Sequence, residues 1–205
     1  MAMAGIEYFY AAHSAFAWLG SARFMQIAKA AGRTIAHRPV DLRRVVTAAG
    51  ATPFGQRSKA HYDYFFGREI ARWSQDRGAP VLGYTPTHHS NDIGLPNCFL
   101  IAAMQAGHGI DDLAHRLLGA HWAEDADLAD RETLERLGRE CGLSDSAELL
   151  AAADGDAARR QYADWTDEAI ERAVFGSPTY VVDGDMFYGQ DRLEMVERAL
   201  RQPYA

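Results

Sequence analysis

Cysteine is scarce in this chain: Cys98 and Cys141 are the only two among 205 residues, and both fall in segments that read as helices. With no C-x-x-C pair, a dithiol–disulfide couple carried by the chain itself is excluded. In a reducing compartment both thiols stay free, with the role of small buried hydrophobes. Positive charge is also short, with 21 Lys and Arg against 28 Asp and Glu and a net charge of -7. The basic residues are scattered, and the isolated pairs Arg43-Arg44 and Arg159-Arg160 read as solvated surface. No face clusters cations as phosphate binding requires, so a nucleic-acid partner is not expected. No run approaches the roughly 18 apolar residues of a membrane helix. Met1-Ala2-Met3-Ala4 shows neither a charged n-region nor an h-region, so a soluble, cytoplasmic protein is expected.

Several catalytic signatures are missing as well. There is no H-E-x-x-H, no Cys/His cluster, no glycine-rich phosphate loop and no G-x-S-x-G elbow. His88 and His89 are adjacent rather than spaced to share a helical face, so no metal site is expected. Carboxylate pairs such as Asp111-Asp112 read as helix caps and solvated turns. What the chain does have is apolar bulk: 48% of its residues are hydrophobic. That suffices for one large core in one domain with an insert. No internal repeat, low-complexity tract or long linker divides it.

The two ends carry the clearest patterns. Ile6 to Tyr10 is short and aromatic, a buried strand. From Ser14 the period changes to Phe16, Leu19, Phe24, Ile27 and Ala31, an amphipathic helix stopped by Gly32. A second strand, Thr34 to Pro39, completes a βαβ unit. Near the other end, Gly176-Ser177-Pro178-Thr179 opens a strand, and Asp183-Gly184 is a strong hairpin signal. X-Pro is the one peptide bond whose cis form costs little, so Pro178 at a strand entrance points to a deliberate turn at a site. Gln190-Asp191 then stands before Leu193, Val196 and Leu200, spaced as a helix with a cap in front of it. The ends therefore predict one mixed α/β sheet, with residues 1–42 and 175–205 forming a βαβ…ββα domain and 43–174 a helical insertion. Within the insertion, helices are predicted over Phe65–Trp73, Cys98–Ala106, Asp111–Ala123, Arg131–Cys141, Ser146–Ala153 and Asp156–Val174. The last places Tyr162, Trp165, Ala169 and Ala173 on one face. Val81 to Pro96 reads as a long loop.

That order of elements, with a proline facing the site, is also the order of the thioredoxin-like fold, whose redox members place C-x-x-C at the start of the first helix. Ser14-Ala15-Phe16-Ala17 occupies that position here, putting a hydroxyl where a reactive thiol would be. As an N-cap, Ser14 is worth about 1 kcal/mol of stability. A chemical role is compatible with that duty.

The chain resembles the 2-hydroxychromene-2-carboxylate isomerase and kappa-class glutathione transferase group of the DsbA-like thioredoxin superfamily. The resemblance spans nearly all of the chain. It rests on Ser14 to Gly20, Lys59 to Pro80, Ala120 to Glu124 and, most specifically, Gly176-Ser177-Pro178-Thr179 with Phe187 to Arg192. It implies a glutathione cofactor. In the family, the serine matching Ser14 hydrogen-bonds the glutathione sulfur, the residue matching Ser177 before the cis-proline Pro178 pairs its backbone with the cysteinyl part, and Gln190 and Asp191 receive the γ-glutamyl end. Lys59 is the implied partner of the glycyl carboxylate. A free thiol with a pKa of about 8.5 is only about 3% ionised at neutral pH. Lowering that pKa by about two units takes roughly 2.7 kcal/mol and multiplies the thiolate roughly 25-fold. A hydroxyl donor and a helix terminus together reach much of that.

The implied activity is isomerisation of a bicyclic aromatic carboxylate through the glutathione thiolate. Tyr10, Phe16 and Trp18 are either walls of an aromatic substrate pocket or plain core, and His13 either touches the substrate or sulfur or is an ordinary loop residue. The chain departs from the family at Ala15, Ala17 and near Ala51, where proline, serine and asparagine are more usual. A kappa-like transferase and a non-catalytic thioredoxin-like binding protein are the alternatives, and a homodimer is common in the group.

Overall fold

The computed structural model describes residues 5–205. Met1 to Ala4, the stretch in which no leader was read, lie outside the described residues. The chain runs β1 (Ile6–Tyr10), α1 (Ala15–Ala30), β2 (Ile35–Pro39), then a long helical excursion, then β3 (Thr179–Val182), β4 (Asp185–Tyr188) and α10 (Leu193–Arg201). The strands form one four-stranded sheet in the order β2-β1-β3-β4. β1 and β2 are parallel, Tyr8 opposite His37, while β3 lies antiparallel to β1 with Tyr180 opposite Tyr8. The predicted βαβ…ββα arrangement is therefore present, and β1, from the start of the chain, sits in the middle of the sheet.

Alternation along β1 explains the layering. Ile6, Tyr8 and Tyr10 point into the main core with Leu19, Phe24 and Ile27 of α1. Phe9 faces the other way and packs with Val40, Val45, Ala169, Val174 and Val181. Successive residues of a strand must face opposite sides, so a five-residue strand buried on both faces needs a helical layer on each. The hairpin between β3 and β4 turns at Asp183 (φ 49°) and Gly184 (φ 96°), both in the left-handed region that a two-residue hairpin requires.

The excursion comprises α2 (Leu42–Ala48), α3 (Lys59–His61), a π-helical stretch Tyr62–Glu69, α4 (Ile70–Arg77), α5 (Gly94–Gln105), α6 (Asp111–Glu124), α7 (Arg131–Glu140), α8 (Ser146–Ala153) and α9 (Asp156–Glu171). Three boundaries differ from expectation. The run predicted over Phe65–Trp73 is longer, from Lys59 to Arg77, because Ser58 caps it in front, accepting from the His61 N–H, and Gly78 closes it at φ 64°. The loop predicted over Val81–Pro96 ends at Gly94, with Pro96 in the first turn of α5, where its missing N–H has no intrahelical partner to lose. α9 stops at Glu171, and Ala173, predicted to share its face with Tyr162, Trp165 and Ala169, takes φ 56° as the chain turns back toward the sheet. Cys98 is buried, as expected of a small hydrophobe, and burial pushes its thiol up to about 11. Cys141 is instead the partly exposed C-cap of α7. No helix among the described residues is long and apolar enough to cross a membrane.

Candidate active site

The residues between β1 and α1 and those before β3 meet at one end of the sheet. Ser14 takes the N-cap position of α1, with its Oγ accepting from the Ala17 N–H at 3.3 Å and donating to the Ser177 carbonyl at 3.3 Å. The Ala11 N–H donates in turn to Ser177 Oγ at 3.3 Å. The Ser177–Pro178 peptide is cis. The Pro178 carbonyl accepts from the Gly189 N–H at 2.9 Å, which joins this corner to the end of β4. Buried Asn97 steadies the turn before Ser14 by accepting from the Ala12 N–H at 3.0 Å. Ser14, Ser177 and Pro178 are thus brought together from opposite ends of the sequence.

Ser14 and Ser177 border a cavity of about 880 Å³. Phe16, Phe54, Phe65, Phe66, Trp122 and Tyr188 wall it, and Arg43, Arg57, His13 and His89 bring the polar atoms. Tyr188 lies against Gly176, whose missing Cβ leaves room for the phenol ring. Arg57 is held by its Nε–H to the Thr52 carbonyl at 3.0 Å and rests over the Phe54 ring at 4.4 Å. A cation stacked on rings keeps an apolar approach while offering donors to an anion. A hollow of about 900 Å³ lies on another side of α1, bordered by Lys29, His37, Asp111 and His115. Its histidines are already engaged within the fold: His37 bonds Tyr10 and Asp111, and His115 bonds Ser21. The cavity at Ser14 combines a helix N-terminus, an aromatic wall and uncommitted imidazole nitrogen.

Three histidines gather beside Ser14. His89 Nδ1 is 2.9 Å from His121 Nε2, and His121 Nδ1 is 3.1 Å from the Ala126 carbonyl. The His13 ring lies 5.0 Å from that of His89, and its carbonyl accepts from Trp122 Nε1 at 2.8 Å. His13 Nδ1 is buried with no hydrogen-bond partner among the described residues. Burial holds all three imidazoles below their ordinary pKa, His13 strongly and His89 to about 4; Arg43 adds its positive charge against the protonated forms of His13 and His89.

Other expected residues lie elsewhere. Tyr10 does not border the cavity: β1 alternation turns it into the core, where it stacks on Tyr8 at 4.2 Å and shares a 2.9 Å hydrogen bond with His37 Nδ1. Trp18 is also core, donating to the Pro80 carbonyl at 2.9 Å and packing where Gly119 has no side chain. Lys59 projects from the solvent face of its helix, 87% exposed and paired with Asp63 four residues on. Gln190 is buried behind α1, its Oε1 accepting from Arg77 Nε–H at 2.9 Å, and Asp191 pairs with Arg192; neither borders the cavity. Arg43, read as surface, borders the cavity, whereas its neighbour Arg44 pairs with Asp167 as a surface residue would.

Arg57, His89, His121 and Asn97 were not singled out from the sequence. His89 had a signal as a polar pair inside an aperiodic loop, and His121 lay within the Ala120 to Glu124 block that carries part of the resemblance. That loop is tied down by bonds that no periodicity encodes: Asp125 accepts from Thr87 N–H and Oγ1–H at 2.7 Å each, and Asn91 Nδ2–H donates to Asp127 at 3.0 Å.

Comparison with known proteins agrees with this architecture. The chain is 28% identical over 196 residues to a 2-hydroxychromene-2-carboxylate isomerase of Pseudomonas putida, covering 95% of this chain and 93% of that one. It is 25% identical to the enzyme of the same name from Sphingobium xenophagum, over 95% and 97% of the two chains. A solved structure of 2-hydroxychromene-2-carboxylate isomerase, 27% identical, superposes with a TM-score of 0.77 over 96% of this chain and 94% of that one. The resemblance read in the sequence is borne out, and with it the reading of the chain as an enzyme of the isomerase kind. The DSBA-like thioredoxin domain matches residues 5–201, so the protein belongs to that family, as a member without a C-x-x-C pair.

Proposed function

We propose that the protein is a glutathione-dependent isomerase acting on a 2-hydroxychromene-2-carboxylate or a close relative, with Ser14 as the stabiliser of the thiolate. The observation that carries this reading is the position of the Ser14 hydroxyl, at the N-terminus of a sixteen-residue helix and on the border of an aromatic-walled cavity. The N-terminus of a helix favours a negative charge by roughly 0.3–1 kcal/mol, and a hydrogen bond to a charged acceptor adds about 1.5–3 kcal/mol. Together they reach the approximately 2.7 kcal/mol that makes thiolate the majority form at pH 7.

The residues fit the cofactor. Ser14 Oγ–H, now directed at the Ser177 carbonyl, is the donor for sulfur, and Arg57, on the border of the cavity, is a cation for a carboxylate. Arg57 takes the place first given to Lys59, which is exposed and paired with Asp63, while Gln190 and Asp191, directly after the Gly189 that bonds the Pro178 carbonyl, keep the γ-glutamyl end. Bound glutathione supplies a thiolate that adds reversibly to a conjugated carbon and so frees a double bond to rotate. The chain's own part is to bind, orient and exclude water: Phe16, Phe65, Phe66 and Trp122 enclose the bicyclic ring, and Arg43 or Arg57 takes its carboxylate.

Calorimetric titration with reduced glutathione, run beside Ser14→Ala, tests the reading. Saturable binding is expected in both, with the thiolate absorbance of the bound thiol lost in the variant and its isomerisation of 2-hydroxychromene-2-carboxylate reduced at least roughly tenfold. No binding at millimolar glutathione sinks the proposal.

A further inference from the structure

The three-histidine cluster is not needed to hold glutathione, and its hydrogen bonds set the protonation of each nitrogen. The Ala126 carbonyl can only accept, so His121 Nδ1 carries a proton. Burial keeps His121 neutral, so its Nε2 is an acceptor, and the 2.9 Å contact makes His89 Nδ1 the donor. In neutral His89 this leaves Nε2 as a bare acceptor on a residue that borders the cavity beside Ser14. A backbone carbonyl thus fixes the tautomer of a cavity-lining imidazole through a second imidazole, the arrangement by which a general base is oriented. The cluster is not a closed structural network, because His13 Nδ1 stays buried without a partner among the described residues.

We propose that His89 is a catalytic proton-transfer residue of this site and His121 its positioning residue. This rests on the reading of the substrate as a 2-hydroxychromene-2-carboxylate. Such a compound is a cyclic hemiketal, so opening its ring to a keto acid and a phenol needs one proton moved between two oxygens. His89 Nε2 takes the proton of the hemiketal hydroxyl. The electrons of that O–H bond become the second bond of the new carbonyl, and the carbon–ring-oxygen bond breaks with its pair going to oxygen. The proton on Nε2 then passes to that phenolate oxygen, which returns His89 to its starting form and leaves no oxidant or reductant to find. While His89 holds the proton, its bond to His121 shares the charge. The groups facing His89 are His13, His121 and Arg43, with Trp122 edge-on at 5.2 Å. Asp125, Asp127 and His88 face His121.

The test uses the full chain, reduced glutathione and 2-hydroxychromene-2-carboxylate. His89→Ala is expected to bind glutathione and ionise it like the unmodified protein, while kcat falls roughly 100-fold with KM little changed. Added imidazole is expected to restore part of that rate, which a merely structural role does not allow. His121→Phe is expected to lower kcat less and to shift the acid limb of the pH profile. Nitrogen NMR of the unmodified protein at pH 7 is an independent reading, with His89 expected to carry its proton on Nδ1. A proton on Nε2, or a His89→Ala rate within twofold of the unmodified one, overturns the proposal. Failure of the unmodified protein to bind glutathione or turn over the substrate removes the isomerase reading, and this proposal with it.

Discussion

Ser14 carries a structural duty and, in the proposed mechanism, a chemical one on the same oxygen, and the two are separable in measurement. Its cap on Ala17 is worth about 1 kcal/mol, so Ser14→Ala lowers stability modestly. Asp at the same position would keep the cap but set a carboxylate against a thiolate. The histidines give this residue-scale picture a pH signature. In the unfolded chain each imidazole takes a proton near pH 6.5, whereas in the fold His89 does so only near pH 4, with His13 and His121 also lowered. Between those values the unfolded state binds more protons, so stability rises with pH and is lost as pH falls from about 6.5 toward 4. Paired carboxylates with lowered pKa, such as Glu7, Asp183 and Glu194, add their loss at lower pH, as they protonate below the ordinary carboxylate value. Urea unfolding at intervals between pH 7 and 5 is expected to show a falling midpoint, with a shallower fall in His89→Leu. A flat midpoint over that interval contradicts the assignment of buried neutral imidazoles.

At the scale of elements, α1 packs against the turn after β4 with no room to spare at Gly20. A Cβ on Gly20 would fall 2.6 Å from the Gln190 Cβ and 3.1 Å from the Tyr180 hydroxyl. Helix propensity alone says Gly20→Ala gains about 1 kcal/mol. Overpacking of a filled core costs about 1–3 kcal/mol, and the Gln190 Cβ, fixed to its own backbone, and the buried Tyr180 ring oppose the methyl here, so the net effect is destabilising. Thermal unfolding is expected to show a lower Tm; a rise means α1 and the turn can separate freely. The aromatic wall depends on another element, the π-helical stretch Tyr62–Glu69 between α3 and α4, where Phe65 meets Phe16 at 4.9 Å and Phe66 meets Tyr62 at 5.1 Å. A wider turn of this kind is rare and concentrates at functional sites. The sequence carried no sign of it. By contrast β1, α1, the Asp183-Gly184 turn and α8 follow directly from period and turn chemistry. The failures cluster where side chains at distant positions meet: Arg57, His89 and His121 depend on tertiary bonds, and Tyr10 was misplaced because which face of β1 looks at the cavity is settled only when helices cover both faces.

For the whole molecule, a ligand held at the junction of the first and last elements stabilises everything between them. Under the proposed glutathione binding, a concentration 100 times the Kd stabilises the folded state by about 2.7 kcal/mol. For a chain of this size each kcal/mol moves Tm by about 2–4 °C, so a rise of roughly 5–10 °C is expected. Differential scanning calorimetry with and without reduced glutathione measures it. A Tm indifferent to glutathione across its titration contradicts the site. The same calorimetry on the oxidised disulfide form separates recognition of the thiolate from recognition of the tripeptide.

The central strand of the sheet is made first and completed last. β1 bonds to β3 through Glu7–Val181, Tyr8–Tyr180 and Phe9–Thr179. At translation rates of about 5–20 residues per second, roughly 10–30 s pass on the ribosome between synthesis of these two strands. During that interval one edge of an aromatic strand has only β2 beside it, while the helical segments emerge and can fold through local contacts. A chain stopped a few residues short of β3 therefore leaves the β3-facing edge of β1 without the partner that the finished fold gives it.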